Sequence, residues 1–281
     1  MAPLPLASNP SELRSRISRW RDSNEFTALV PTMGALHDGH LMLVKEALRR
    51  ADRVVVSIFL NPRQFAAGED LETYPRDLST DLARLAEAGA HLAYVPDEQS
   101  MYPDGFATSV TMAGPATAGL EDRFRPHFFD GVAIVVAKLF IQAGCDYAIF
   151  GEKDYQQLKV VTRMAIDLDI PVTVIGMPTV RESDGLALSS RNVYLSEQER
   201  QLAPRLHAEL QRCVEEIAAG RDPNKVCSNA RRRLIRAGFK PDYLTARNAN
   251  SLQHPQTDSE PLRLLVAAWL GKTRLIDNIA V

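Results

Sequence analysis

Cysteine is scarce in this chain. Cys145, Cys213 and Cys227 are few, scattered and odd in number, and none belongs to a Cys-x-x-Cys pair. That excludes a disulfide framework and points to a reducing cytoplasm. Net charge is equally slight: 33 basic against 35 acidic residues leave −2, so no basic field holds the chain on nucleic acid or an acidic membrane. Long apolar runs are missing too. The longest, GVAIVVAKLFIQAG, is broken by Lys138 and Gln142 and is too short to span a bilayer. The opening stretch MAPLPLASNPSELRSR has no basic head followed by an apolar core, so no signal peptide is expected.

What is present is an ordinary globular composition, 45% hydrophobic and 24% charged over 281 residues, enough for one large domain or two modest ones. Short β-branched runs read as buried strands: FTALV (26–30), RVVVSIFL (53–60), HLAYV (91–95), DYAIF (146–150) and PVTVIGM (171–177). Helical spacing fills the gaps, with Leu41, Val44 and Leu48, then Leu78, Leu82 and Leu85 closed by Gly89. Val132, Val135, Val136 and Leu139 form a third such set, and Leu158, Val161 and Ala165 a fourth. This alternation predicts an α/β fold, a Rossmann-like parallel sheet with helices on both faces, over residues 1–177. Residues 178–281 change character. Helices rich in Arg and Glu occupy 196–237, and the strand-like runs DYLTA, RLLVAAWL and TRLIDNIA follow, which together predict a smaller α+β C-terminal domain. Asp77 and Asp81 are expected on an exposed helix face, and the Arg run 231–233 on a solvated one.

In an open α/β sheet, ligands bind beyond the carboxyl ends of the strands, and four polar clusters fall there. PTMGALHDGH (31–40) follows the first strand, NPRQF (61–65) the second and GEKDYQQ (151–157) the fourth. SSRN (189–192) follows the fifth, after the linker PTVRESDGLAL. The first cluster contains neither G-x-G-x-x-G nor G-x-x-x-x-G-K-S/T, so the dinucleotide fingerprint and the P-loop are absent. Its His37 and His40 stand at the entrance of a helix beginning near Asp38. Free N–H groups and the dipole favour an anion there, and Gly34 and Gly39 let a phosphate or a flat base approach the backbone. A metal site and a hydrated helix-start turn are the competing readings. His-x-x-His supplies two ligands where zinc needs three or four, and His91, His127, His207 and His254 are scattered. Lys153 suits a phosphate, Asp154 a nucleotide or Mg2+, and Ser189, Ser190 and Arg191 a phosphate clamp. Neutral Asn61, Gln64 and Gln157 suit a small hydroxylated substrate. Each cluster alone also fits ordinary turn chemistry.

Assembled, these stretches resemble the pantoate–β-alanine ligase (pantothenate synthetase) family of His-x-Gly-His nucleotidyltransferases. PTMGALHDGH, VSIFLNPRQF, YPRDL, GEKDYQQL, PTVRESDGLALSSRN and LGKTRLIDNI stand in that family's order across nearly the whole chain. The resemblance implies ATP- and Mg2+-dependent condensation of pantoate with β-alanine through a pantoyl adenylate, in a cytoplasmic homodimer whose C-terminal domain acts as a lid. It implies an ATP site of Pro31, Thr32, Met33, Gly34, Ala35, Leu36, His37, Asp38, Gly39, His40, Gly151, Glu152, Lys153, Asp154, Val180, Leu188, Ser189, Ser190 and Arg191. No metal ligand is assigned. His37, His40, Lys153, Ser189, Ser190 and Arg191 would carry the catalysis, with His37 as proton donor. Gln64 and Gln157 would hold pantoate, Gln64 would also touch β-alanine, and Asn61 would order the pocket. One region departs from the family pattern. RPHFFDGV (125–132) has His127 and Phe128 where the family reads Gly and His, and LEDRF (120–124) has Asp122 where Gly is common. His127 and Phe128 are therefore left out of the site.

Overall fold

The five apolar runs of the first half all become strands of one sheet, and every neighbouring pair in it is parallel. The structure, a computed structural model, describes residues 3–281 apart from 67 and 258. In chain order, the first part runs β1 (Leu6–Ala7), α1 (Pro10–Asp22), β2 (Thr27–Thr32), α2 (Asp38–Arg50), β3 (Arg53–Ile58), α3 (Leu78–Glu87), β4 (Leu92–Tyr94) and α4 (Glu98–Met101). It continues with α5 (Glu121–Phe124), α6 (Phe128–Ala143), β5 (Tyr147–Gly151), α7 (Tyr155–Asp167) and β6 (Thr173–Met177). The second part comprises α8 (Glu197–Leu202), α9 (Arg205–Ala218), α10 (Pro223–Arg236), β7 (Lys240–Asn248), β8 (Leu262–Leu270) and β9 (Thr273–Ala280). Strand β1, two residues long, is too short to leave a periodic signal.

Alternation along the strands places the core on both faces of the sheet. Leu29 of β2 packs with α1, α6 and α7, while its neighbours Ala28 and Val30 pack with α2 and α3 on the other side, as a side-chain period of two requires. Sheet order is β1-β4-β3-β2-β5-β6. The chain therefore steps outward from β2 in one direction and, from β5, in the other. A crevice opens at the carboxyl ends of the strands where the direction reverses. Pro31 widens it. Asp146 N–H donates to the Thr27 carbonyl, so the odd-numbered residues of β2 face β5, and at Pro31 that face has no N–H to offer. The β2–β5 pairing accordingly ends at Leu29 opposite Ala148, whereas β2 and β3 stay paired out to Thr32 and Ile58.

Helix α6 runs through the centre and is buried on nearly every side. It abuts the turn after β3: a Cβ added at Gly131 would stand 2.2 Å from the Arg63 carbonyl oxygen. The second part has its own core, where Leu206 and Leu210 of α9 and Val226, Ala230 and Leu234 of α10 cover the antiparallel sheet β7-β8-β9. Arg231 and Arg232 are exposed as expected. Arg233 is not: it turns inward to the Glu209 carboxylate at 2.6 Å. Among the described residues no helix is long and apolar enough to cross a membrane. Gly131→Ala is expected to force α6 and the 61–64 turn apart, costing about 1–3 kcal/mol from overpacking. A thermal midpoint equal to that of the unmodified chain would contradict this contact.

Candidate active site

The loop after β2 turns left-handed at two successive residues, Gly34 (φ 85) and Ala35 (φ 50). Such a turn leaves N–H groups without helix or strand partners. Asp81, one turn into α3, satisfies them. Its carboxylate oxygens accept the Ala35 N–H at 2.9 Å and the Leu36 N–H at 2.8 Å, while Arg84 donates to the Leu36 carbonyl at 2.7 Å. Asp81 is only 3% exposed, which corrects the expectation of an exposed helix face. Asp77 does sit at the surface, as N-cap of α3, accepting from Thr80 N–H.

The loop ends in His37, the N-cap of α2. Its Nδ1 accepts the Gly39 N–H at 3.1 Å, and His40 Nδ1 accepts the His37 N–H at 3.3 Å. With both Nδ1 lone pairs engaged by backbone donors, each neutral ring carries its proton on Nε2. Burial, followed by the Lys153 ammonium, pulls His37 down to about 4. Burial, followed by His37, pulls His40 down to about 3. Both are neutral at pH 7. At neutral pH His37 thus offers an Nε2–H hydrogen bond toward the cavity.

A cavity of about 230 Å³ lies over these rings, and the four sequence clusters meet on its wall. Pro31, Thr32, Met33, His37, Gly39 and His40 come from the first, Asn61 and Gln64 from the second, and Gly151, Lys153, Asp154 and Gln157 from the third. Leu188, Ser189, Ser190 and Arg191, with Val180, come from the linker side. Ser190 Oγ donates to the Ala35 carbonyl at 3.0 Å, tying the linker to the histidine loop. Asn61, 1% exposed, donates Nδ2 to Gln64 Oε1 and to the Gly131 carbonyl, both at 3.0 Å, and accepts the Tyr102 hydroxyl at 2.8 Å. That arrangement fixes which way the Gln64 amide turns: its NH2 is the end left to donate, and it reaches Met33 Sδ at 3.0 Å. A larger cavity of about 1090 Å³ continues from Lys153, Gln157 and Arg191 to β8 and β9. An arrangement of neutral donors at a helix entrance, one lysine and two arginines suits a polyphosphate, and a glutamine-lined recess beside it suits a small polar acid.

The family model described as pantoate-beta-alanine ligase matches residues 6–280. The chain belongs to the pantoate–β-alanine ligase family. It is 56% identical over 277 residues to a pantothenate synthetase of a Bradyrhizobium species, covering 98% of each chain. With one of Rhodopseudomonas palustris it shares 57% over 270 residues, 96% of this chain and 95% of that one. A crystal structure of pantothenate synthetase from Thermus thermophilus superposes with a TM-score of 0.92 at 46% identity, covering 98% of this chain and 99% of that one. The ligase from Francisella tularensis, complexed with beta-gamma ATP and β-alanine, has a TM-score of 0.82 at 32% identity, with 99% and 97% covered. The chain's activity is the ATP-dependent ligation of pantoate to β-alanine.

Not every residue that the resemblance assigned to this ligase's ATP site reaches the cavity. Gly34, Ala35 and Leu36 shape the loop behind it, Asp38 is exposed on α2, and Glu152 turns away to Arg263 at 2.9 Å. Asp81 and Asn278 were not anticipated. The signal for Asp81 lies in its spacing, four residues before the buried Leu85 and so on the inward stripe of α3. At 125–132, Arg125 and Phe128, the latter left out of the expected site, both line the cavity, the guanidinium lying 3.8 Å from the ring centroid. His127 has φ 68, a conformation that glycine adopts freely, and its side chain is 88% exposed. Asp122 takes up hydrogen bonds from Gly119 N–H, Leu120 N–H and Gln156 Nε2. Both guanidiniums in the cavity are occupied: Arg125 by Glu69 and Arg191 by Asp70, each through two hydrogen bonds.

Asp81→Asn keeps the size but loses the charge and one acceptor. Losing a charge-assisted bond of about 1.5–3 kcal/mol lowers kcat/KM for ATP roughly 10- to 150-fold; an unchanged value would remove Asp81 from the site. The neutral histidines set the pH dependence. With His37 protonating only near 4, kcat/KM for ATP in diphosphate release, measured without β-alanine, should stay flat from pH 8 downward and fall as that value is approached. A fall centred on about 6.5, the ordinary histidine value, would show that the loop geometry is wrong.

Proposed function

We propose that the pantoate carboxylate attacks the α-phosphate of ATP in line within the smaller cavity, forming pantoyl adenylate and expelling diphosphate. The free β-alanine amine then attacks the adenylate carbonyl carbon, AMP leaves with the electron pair of the broken C–O bond, and the nitrogen gives up its extra proton to solvent. The observation that carries this reading is the convergence of His37, His40, Lys153, Ser189, Ser190 and Arg191 on the cavity that Gln64 and Gln157 also line. The Nε2–H groups of His37 and His40 donate to the phosphates, Arg191, paired with Asp70, adds a fixed guanidinium dipole, and Lys153 balances charge developing on the departing diphosphate. Little covalent help is needed, so positioning and fixed dipoles supply most of the rate. Gln64 and Gln157 hold pantoate, Gln64 also meets β-alanine, and Asn61 orders them. Residues 178–281 serve as the lid domain, since an enclosed adenylate is shielded from water.

The donor set fits a Mg2+ that arrives with ATP better than a resident ion. Among the described residues, no three His, Cys, Asp or Glu side chains converge, and Asp154 is the one carboxylate on the wall of the smaller cavity. Mg2+ typically takes one or two carboxylates plus phosphate oxygens, so Asp154 is the residue that would hold it. When bound, it supplies charge neutralisation at the phosphates. A cytoplasmic homodimer completes the proposal, supported by the family resemblance, and sedimentation measures the dimer.

Release of AMP is expected only with ATP, pantoate and β-alanine together, or slowly without the amine. AMP formation indifferent to pantoate would rule the scheme out. His37→Ala and Lys153→Ala should each lower turnover about a hundredfold, roughly 2.7 kcal/mol of transition-state stabilisation, with folding unaffected by circular dichroism. Near-normal rates in both would take them out of the mechanism.

A further inference from the structure

We propose that Asn278, on β9 of the second part, is the positioning residue that sets Lys153 against the reacting phosphates. It acts through the backbone of the turn Glu152–Asp154. The inference rests on the role given to Lys153 above.

Lys153 stands on a single turn of 3-10 helix between β5 and α7. A lysine side chain is a point charge on a flexible stem, so its reach depends on where its backbone is held. Asn278 Nδ2 donates to the Glu152 carbonyl at 2.8 Å and to the Lys153 carbonyl at 2.9 Å. These are the carbonyls immediately before and after the Lys153 Cα, so one amide group fixes the peptide planes on both sides of it. The amide itself cannot turn over. Asn278 Oδ1 accepts Arg263 Nε at 2.7 Å, and the same guanidinium reaches Glu152 Oε2 at 2.9 Å and lies 4.2 Å from the Tyr155 ring centroid. A flipped amide would set an oxygen against two carbonyls and an NH2 against a guanidinium. Asn278 is 3% exposed, and with both N–H donors and the oxygen engaged it is a fully satisfied buried amide.

Its neighbour extends the grip to the other wall. The Asp277 carboxylate takes Arg181 at 2.6 and 2.8 Å, and Arg181 belongs to the linker that ends in Ser189, Ser190 and Arg191. Asp277 also accepts the Asn278 N–H at 2.7 Å. Two consecutive residues of β9 thus hold, respectively, the linker and the Lys153 turn, and set the spacing between them. An ordinary interdomain contact would bond to whatever side chains lay opposite; this one bonds to the two peptide groups flanking a single functional lysine.

Asn278→Asp is nearly isosteric and pairs with Arg263, but it loses both donors and turns a carboxylate oxygen toward the two carbonyls they served, so the turn is released with little change in side-chain volume. Diphosphate release from ATP and pantoate is expected to slow about tenfold or more, as loss of two backbone-directed hydrogen bonds implies, with KM for β-alanine unchanged. The discriminating measurement is a double-mutant cycle with Lys153→Ala. If Asn278 acts through Lys153, Asn278→Asp should slow the Lys153→Ala enzyme no further. An equal additional loss in that background, or a near-normal rate in the single variant, would overturn the inference. Should Asn278→Asp not fold, Asn278→Ser, which keeps one donor, carries the same cycle with the same criteria. A Lys153→Ala enzyme of normal speed would instead mark failure of the role assigned to Lys153.

Discussion

One carboxylate governs the geometry of the site. A loop that turns left-handed at both Gly34 and Ala35 cannot satisfy its own N–H groups, and leaving them buried and unpaired costs about 1–3 kcal/mol each. Asp81 accepts the two that follow the turn, and Arg84 closes the same segment through the Leu36 carbonyl. Everything downstream inherits that placement. Held there, the chain delivers His37 to the N-cap of α2, Gly39 N–H to His37 Nδ1, and His37 N–H to His40 Nδ1. The tautomer of both rings, and so the direction of both Nε2–H groups, traces back to an aspartate on a different helix.

The five strands β2 to β6 and the helices between them are legible because the apolar runs are uninterrupted and both faces of the sheet are covered. The convergence of four clusters followed from topology, since strand carboxyl ends share one edge. What escaped reading were contacts between residues far apart in sequence. Asp81 lies more than forty residues from the groups it serves, and the expectation of an exposed face gave weight to its charge over its spacing to Leu85. Asn278 and Glu152 are separated by over a hundred positions. Phe128 departs from the family pattern and still lines the cavity beside Arg125.

Electrostatically the site is quiet at neutral pH. Its histidines are uncharged, and its two cavity guanidiniums are neutralised by Glu69 and Asp70, consecutive residues of one loop. Lys153 makes only a loose contact with Asp154, at 3.8 Å. Anion recognition therefore relies on fixed dipoles and aimed hydrogen bonds more than on free positive charge. Such donors need little reorganisation as charge shifts during reaction.

Pro31 has a consequence for how the cavity is bounded. In most parallel sheets, space between two neighbouring strands could be gained only by breaking ladder hydrogen bonds. Here the covalent structure of one residue removes the donor from the side of β2 that faces β5, and the ladder stops at Leu29. Pro31 and Gly151, the strand ends that face the smaller cavity, therefore line it without any ladder bond between them having to break.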